Sequence, residues 1–243
     1  MTESSNWPGR AAVFGASGGI GAALCRVLAD RGVQVYAGSR SGEVPKHQFV
    51  TPFHFDLEDV ETIAVAAQEM AAAPPELVII ASGVLTLEDG TGPERSFRSI
   101  DPAAMEKVMR VNAIGPALIA RHMLELMPRD ERFVLAAISA KVGSISDNGI
   151  GGWHSYRASK AALNMLVKNF AIEMARTHKQ GAVIALHPGT VDTALSKPFQ
   201  SNLPEGQLTN RREAALNLLG VIFDAGPDES GKLLSWNGEE IAP

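Results

Sequence analysis

The run Leu77-Val78-Ile79-Ile80-Ala81 is apolar without interruption and leads into Ser82-Gly83. A strand with one wet face alternates apolar with polar residues, whereas an unbroken run suits a strand covered on both faces, as inside a parallel sheet. A second run of this kind is Phe133-Val134-Leu135-Ala136-Ala137-Ile138, and further strand patterns stand at Arg10 to Gly15, Val33 to Gly38, Phe49 to Phe55, Ala182 to Leu186 and Gly231 to Trp236. Helical periodicity separates them, over Ala22 to Arg31, Glu58 to Ala73, Asp101 to Leu126, Tyr156 to about His178 and Thr209 to Asp224. Strands alternating with helices predict an α/β fold, doubly wound, with helices on both faces of a parallel sheet. A length of 243 residues without a repeat or linker predicts a single domain over 1–243.

Composition removes several classes of function. A net charge of −5 and a pI near 5.7 supply no basic footprint for nucleic acid or for a membrane surface. No apolar run approaches the length of a membrane span, and Met1 to Gly9 carries no leader pattern, so a cytoplasmic location is expected. The single cysteine, Cys25, forms no internal disulfide, fits a reducing compartment, and falls in a helical pattern that predicts a core position.

The first strand runs directly into Gly15-Ala16-Ser17-Gly18-Gly19-Ile20-Gly21 and then a helix. Glycines let the backbone approach a diphosphate, while the free N–H groups at the helix start face it. Strand, glycine turn and helix in that order predict a dinucleotide site, although Gly15-x3-Gly19-x-Gly21 is longer between its first two glycines than the commonest form. At the end of the second strand, where an NAD site places an acidic residue, stand Ser39-Arg40. A hydroxyl beside a guanidinium suits a 2′-phosphate, so NADP(H) is expected over NAD(H); the plainer reading makes Arg40 a surface charge.

Asp101-Pro102 starts a long helical pattern with Pro116 in its interior. Lacking an N–H, Pro116 leaves the Asn112 carbonyl without its helical partner, as a functional site or an ordinary kink would. Ser139 follows a buried strand, at the sheet edge where ligands bind. After the glycine-rich loop 140 to 153 come Tyr156 and Lys160, one helical turn apart on one face. A nearby cation lowers a phenol's pKa, which makes the pair a proton-transfer candidate, against the plain alternative of a packed ring beside a solvated charge. His187, at another strand end, has no second ligand at a useful spacing and reads as a hydrogen-bonded structural residue. Residues 194 to 210 are long, polar and irregular, as in a flap over a substrate.

Taken together, Gly15-x3-Gly19-x-Gly21, Asp56, Asn112, Tyr156-x3-Lys160, and Pro188-Gly189 with Thr193 beyond resemble the short-chain dehydrogenase/reductase family over nearly the whole chain. Val142-Gly143-Ser144-Ile145, Gly151-Gly152-Trp153 and the ending Gly231-Lys232-Leu233-Leu234-Ser235-Trp236 resemble its C-factor subgroup of cell–cell signalling proteins and related carbonyl reductases. The resemblance implies a seven-stranded Rossmann-like sheet. It implies that Tyr156 is the general acid or base, that Lys160 holds the nicotinamide ribose and depresses the tyrosine pKa, and that the Asn112 carbonyl fixes a water. Asp56 and Leu57 would flank the adenine, Ser82 and Gly83 the cofactor ribose, and Val191 and Thr193 the carboxamide. A homodimer or homotetramer built through the long helices is expected.

The sequence departs from the family pattern twice. Ala81-Ser82-Gly83 replaces the usual Asn-Ala-Gly, and Ala140 stands where the substrate-orienting serine is usual, which leaves Ser139 and Ser144 as alternatives with Ser139 preferred. The expected function is NADPH-dependent interconversion of a small-molecule carbonyl and alcohol by hydride transfer. The alternative is an NADP-binding signalling protein with little turnover.

Overall fold

A computed structural model describes residues 8–204 and 206–243. Most of the amino-terminal stretch read for a leader, up to Trp7, lies outside the described residues. Strands β1 (Arg10–Phe14), β2 (Gln34–Ser39), β3 (Val50–His54), β4 (Leu77–Ile80), β5 (Phe133–Ile138), β6 (Gly181–His187), β7 (Thr190–Val191), β8 (Leu208–Thr209), β9 (Leu233–Ser235) and β10 (Glu240–Ile241) are joined by helices α1 (Gly19–Ala29), α2 (Glu61–Met70), α3 (Pro102–Met109), α4 (Gly115–Leu124), α5 (His154–Met174) and α6 (Arg211–Asp224). The main sheet runs β10-β9-β6-β5-β4-β1-β2-β3 and is parallel except for the β9–β10 pair.

The count therefore differs from the expected seven: seven parallel strands carry an eighth, two-residue antiparallel edge. A tight turn at Asn237-Gly238, with φ of 86° at Gly238, returns the chain, and Asn-Gly is the dipeptide that favours such hairpins. A separate pair, β7 with β8, clasps the two ends of the 194–210 segment.

Strand periodicity explains why the central strands are apolar throughout. Ala11, Val13, Leu77 and Ile79 face a core closed by Leu24 and Leu28 of α1 and by Leu218 and Ile222 of α6. Ala12, Phe14, Val78 and Ile80 face the opposite core, with Ile63 and Met70 of α2, Ile119 and Met123 of α4, and Leu163 and Val167 of α5. Cys25 is buried in the first core, and burial pushes its thiol up to about 12, as suits an inert residue. No helix among the described residues is long and apolar enough to cross a membrane.

The helical pattern from Asp101 is two helices joined by a π turn over Arg110–Ile114. Pro116 withholds one N–H from the ladder, and Gly115 N–H reaches back five residues to the Arg110 carbonyl, which widens the turn. Helix α5 stops at Met174, short of His178, and α6 begins at Arg211 with Asn210 as its cap. β1 is flanked by β4 and β2, so the strand order reverses there, and the glycine turn opens onto that crevice.

Candidate active site

At the carboxyl edge of β1 the turn admits only glycine where the chain passes itself. Gly15 has φ of 93°, and a Cβ on it would stand 2.7 Å from the Ser82 nitrogen. A Cβ on Gly21 would stand 2.2 Å from the Gly15 carbonyl oxygen. A Cβ on Gly19 would meet Thr193 Cγ2 at 2.6 Å, which brings the β7 segment against the turn. Beyond the turn opens a cavity of ≈1370 Å³ lined by Gly15, Ser17, Gly18, Ser39, Arg40, Asp56, Leu57, Ser82 and Gly83, together with loop residue Glu88 and with Arg110 and Ile114 of the π turn. Gly19 and Ile20 open α1 directly behind it. Ser82 Oγ is buried without a hydrogen-bond partner. Ser39 Oγ lies 3.1 Å from Ser41 Oγ, and the Arg40 guanidinium donates to Glu88 Oε1 at 2.6 Å.

The second half of the site is built on α5. Lys160 Nζ lies 5.8 Å from the centre of the Tyr156 ring and donates to the Ile138 carbonyl at 2.9 Å, which ties the helix to the end of β5. Gly143 is needed in the loop between them, because a Cβ there would come within 2.7 Å of Lys160 Cβ. Burial pushes the Tyr156 phenol up to about 12 and draws the Lys160 ammonium down to about 8. Burial thus favours the protonated form of Tyr156.

Asn112, in the π turn, locks three segments. Its Oδ1 accepts from Val84 N–H at 2.8 Å, and its Nδ2 donates to the Val84 carbonyl at 2.8 Å and to Ser159 Oγ at 3.1 Å. Ser159 in turn donates to the Tyr156 carbonyl at 2.8 Å. This buried network is satisfied throughout, so it fixes the loop after β4 against the first turns of α5.

A smaller cavity of ≈700 Å³ is lined by Tyr156, Leu85, Glu94, Ser155, Pro198 and Phe199, among others. Phe199, from the 194–210 segment, packs its ring 5.0 Å from that of Trp153, which stands edge-on to Tyr156 at 6.2 Å. Of the flap's apolar residues, Phe199 therefore reaches the cavity, whereas Leu195 is exposed and does not line it.

Ser139 and Ser144 are not gathered with Tyr156. Ser139 Oγ is buried and donates to Asn164 Oδ1 at 2.6 Å. Ser144 Oγ, also buried, accepts from Asp147 N–H at 3.1 Å within its own loop. Neither lines either cavity. Pro188, Gly189 and Val191 follow β6, with Val191 buried and Gly189 at φ of 71° against Trp236. His187, expected to be hydrogen-bonded, has its buried Nδ1 without a partner; burial, reinforced by Lys141, draws its pKa down to about 4. No cluster of potential metal ligands occurs among the described residues. Ser159, Glu88 and Glu94 were missed at the level of sequence, because each acts across a separation that no local spacing displays.

A family model described as short chain dehydrogenase matches residues 10–204. The chain is 29% identical over 231 residues to 1-hydroxy-2-glutathionyl-2-methyl-3-butene dehydrogenase of Rhodococcus sp. (strain AD45), covering 93% of this chain and 96% of that protein. It is 29% identical over 176 residues to C-signal of Myxococcus xanthus, covering 72% of this chain and 96% of that protein. The solved structure of NADPH-bound carbonyl reductase from chicken fatty liver matches its fold with a TM-score of 0.80 at 22% identity, over 97% of this chain and 94% of that one.

Proposed function

Because the chain belongs to the short-chain dehydrogenase family of NAD(P)-dependent oxidoreductases, we propose that it is an NADP(H)-dependent reductase of small apolar aldehydes or ketones, with Tyr156 as the proton donor. The observation that carries this reading is Tyr156 itself: buried beside Lys160, locked through Ser159 to Asn112, and exposed to a cavity of its own.

The crevice suits a dinucleotide. A turn that a single Cβ would block gives close backbone approach to a diphosphate, and Ser82, whose buried Oγ has no partner, lines the same crevice as Asp56 and Leu57. Ser17, Gly18 and the start of α1 would hold the diphosphate, Asp56 and Leu57 the adenine, Ser39 and Arg40 the 2′-phosphate, and Ser82, Gly83 and Lys160 the nicotinamide ribose. Pro188, Gly189, Val191 and Thr193 would hold the carboxamide end. When bound, the nicotinamide supplies the hydride.

Tyr156 gives its proton to the carbonyl oxygen as negative charge develops there. Burial keeps this phenol in its neutral form, the form that donates a proton in reduction. Lys160, held by the Ile138 carbonyl, stabilises the phenolate that remains. Pro116 offers no N–H to the Asn112 carbonyl, which leaves an acceptor for a water that returns the proton. Leu85, Pro198 and Phe199 give the substrate cavity an apolar wall.

The test is NADPH oxidation over a panel of carbonyls by the wild type and by Tyr156→Phe, with NADPH binding measured in parallel. Binding is expected to survive in the variant, while turnover falls by roughly 10²- to 10⁴-fold. Binding without substrate-dependent oxidation by the wild type would instead favour a signalling protein. Ala140 at the serine position, and the engagement of Ser139 and Ser144 within the scaffold, support that second reading. Exposed Met165 and Ile172 on α5 support a homodimer or homotetramer, which sedimentation would resolve.

A further inference from the structure

Helix α5 begins without a cap of its own. Its N-cap residue is Trp153, held in the left-handed region at φ 51° and ψ 43°, and the indole makes no cap hydrogen bond. The first turn of a helix leaves its N–H groups without partners, and here that turn contains Tyr156. The acceptor comes from the loop after β4. Glu94 Oε2 accepts from Ser155 N–H at 3.1 Å, its Oε1 accepts from Ser155 Oγ, and its main-chain carbonyl accepts from Trp153 N–H. Glu94 is 9% exposed, lies 61 residues before Ser155, and lines the same cavity as Tyr156. Burial raises the cost of its charge, but the Ser155 hydrogen bonds outweigh this and hold the carboxyl below its ordinary range, with His154 adding to the effect.

We propose, on the reading of Tyr156 as the proton donor, that Glu94 is its positioning residue. The carboxylate fixes the first turn of α5 by capping it from a distant loop, and its charge adds to burial in keeping the phenol protonated. The other charged or titratable groups at hand are Lys160 and His154 on α5, and Arg95 and Asp101 on the cavity wall. None of these offers a carboxylate to the Ser155 amide. A carboxylate hydrogen-bonded to the residue before Tyr156, and lining the same cavity, disfavours the phenolate, whereas a neutral amide of the same shape keeps the cap and removes that effect.

The test compares Glu94→Gln and Glu94→Ala with the wild type. The chain has two tyrosines, so the ultraviolet phenolate difference spectrum against Tyr156→Phe isolates one titration. In Glu94→Gln the Tyr156 phenol is expected to titrate roughly half a unit to one unit lower. The alkaline limb of the turnover profile should move with it, and NADPH affinity should stay within about twofold because the cofactor cavity is untouched. In Glu94→Ala, which loses the cap as well, kcat is expected to fall roughly 10- to 100-fold, with Gln restoring most of it. An unmoved phenol titration in the Gln variant overturns the proposal, as does wild-type kcat in a folded Ala variant. If Glu94→Ala does not fold, the Gln titration alone decides. If the wild type oxidises no NADPH, the reductase reading falls, and the titration still decides the role of Glu94.

Discussion

Replacing Arg40 with alanine should weaken NADPH and leave NADH nearly unchanged, and the structure sets the size of the effect. The guanidinium is held by Glu88 Oε1 at 2.6 Å, yet the two side chains are 61% and 85% exposed, so the pair sits in high dielectric. Exposed pairs of this kind are worth about 0–1 kcal/mol. A hydrogen bond from the same guanidinium to a phosphate dianion is worth about 1.5–3 kcal/mol. Exchanging one partner for the other therefore leaves a net contribution of about 0.5–3 kcal/mol, or about 2- to 150-fold in the NADPH Kd. Glu88 is a competing anion, so Glu88→Gln should tighten NADPH roughly two- to fivefold at low salt and by less at high salt. Titration of each variant with both dinucleotides at two ionic strengths measures all of this without turnover. Equal weakening of NADH and NADPH in Arg40→Ala would refute the 2′-phosphate assignment. An unchanged NADPH affinity would return Arg40 to the role of a surface charge.

Three further expectations concern the scaffold. Burial draws Lys160 from 10.5 to about 8, so the unfolded chain binds more protons between those values and stability should rise by up to about 3 kcal/mol as pH climbs through them. Tyr156, raised from 10.0 to about 12, works in the opposite sense above pH 10; urea melts at stepped pH should show the rise, and Lys160→Met should flatten it. Gly21→Ala puts a methyl 2.2 Å from a backbone oxygen that cannot yield without moving the turn, so both dinucleotides should weaken at least about tenfold in direct titrations. Ser139→Ala leaves a half-buried Asn164 oxygen without its donor and should cost about 1–2 kcal/mol in chemical melts, with kcat nearly unchanged; a substrate-orienting Ser139 predicts instead a loss of kcat by orders of magnitude.

The fold was legible because its signals are local. Runs such as Leu77–Ile80 and Phe133–Ile138 are apolar on both faces, since each face meets its own layer of helices, and a reader needs only the period to see it. The edges were less legible. β10 is a two-residue strand whose only sequence signal is the Asn237-Gly238 turn ahead of it, and β7 with β8 pairs residues across a long loop. The π turn was half visible: Pro116 announces that one bond must fail, but not whether the helix kinks, frays or widens.

The site divides along the same line, and the division explains why Ser139 could not be settled by counting residues. Tyr156 and Lys160 share one helix, so a spacing of four fixes their common face before anything else about the chain is known. Ser139 stands where β5 gives way to the loop, and there the direction of a side chain depends on the partner it finds; Asn164, one turn beyond Lys160 on the same helix, takes its hydroxyl. Asn112 and Glu94 act through segments that meet α5 only after the sheet is assembled, one from the π turn and one from the loop after β4. The proton donor is thus specified locally, whereas the groups that hold it in register are specified by topology. Substitution of Glu94, which lines the cavity of Tyr156 and not that of the dinucleotide, should consequently alter kcat and pH dependence while leaving dinucleotide affinity in place, a pattern that no inspection of the Tyr156–Lys160 helix alone would anticipate.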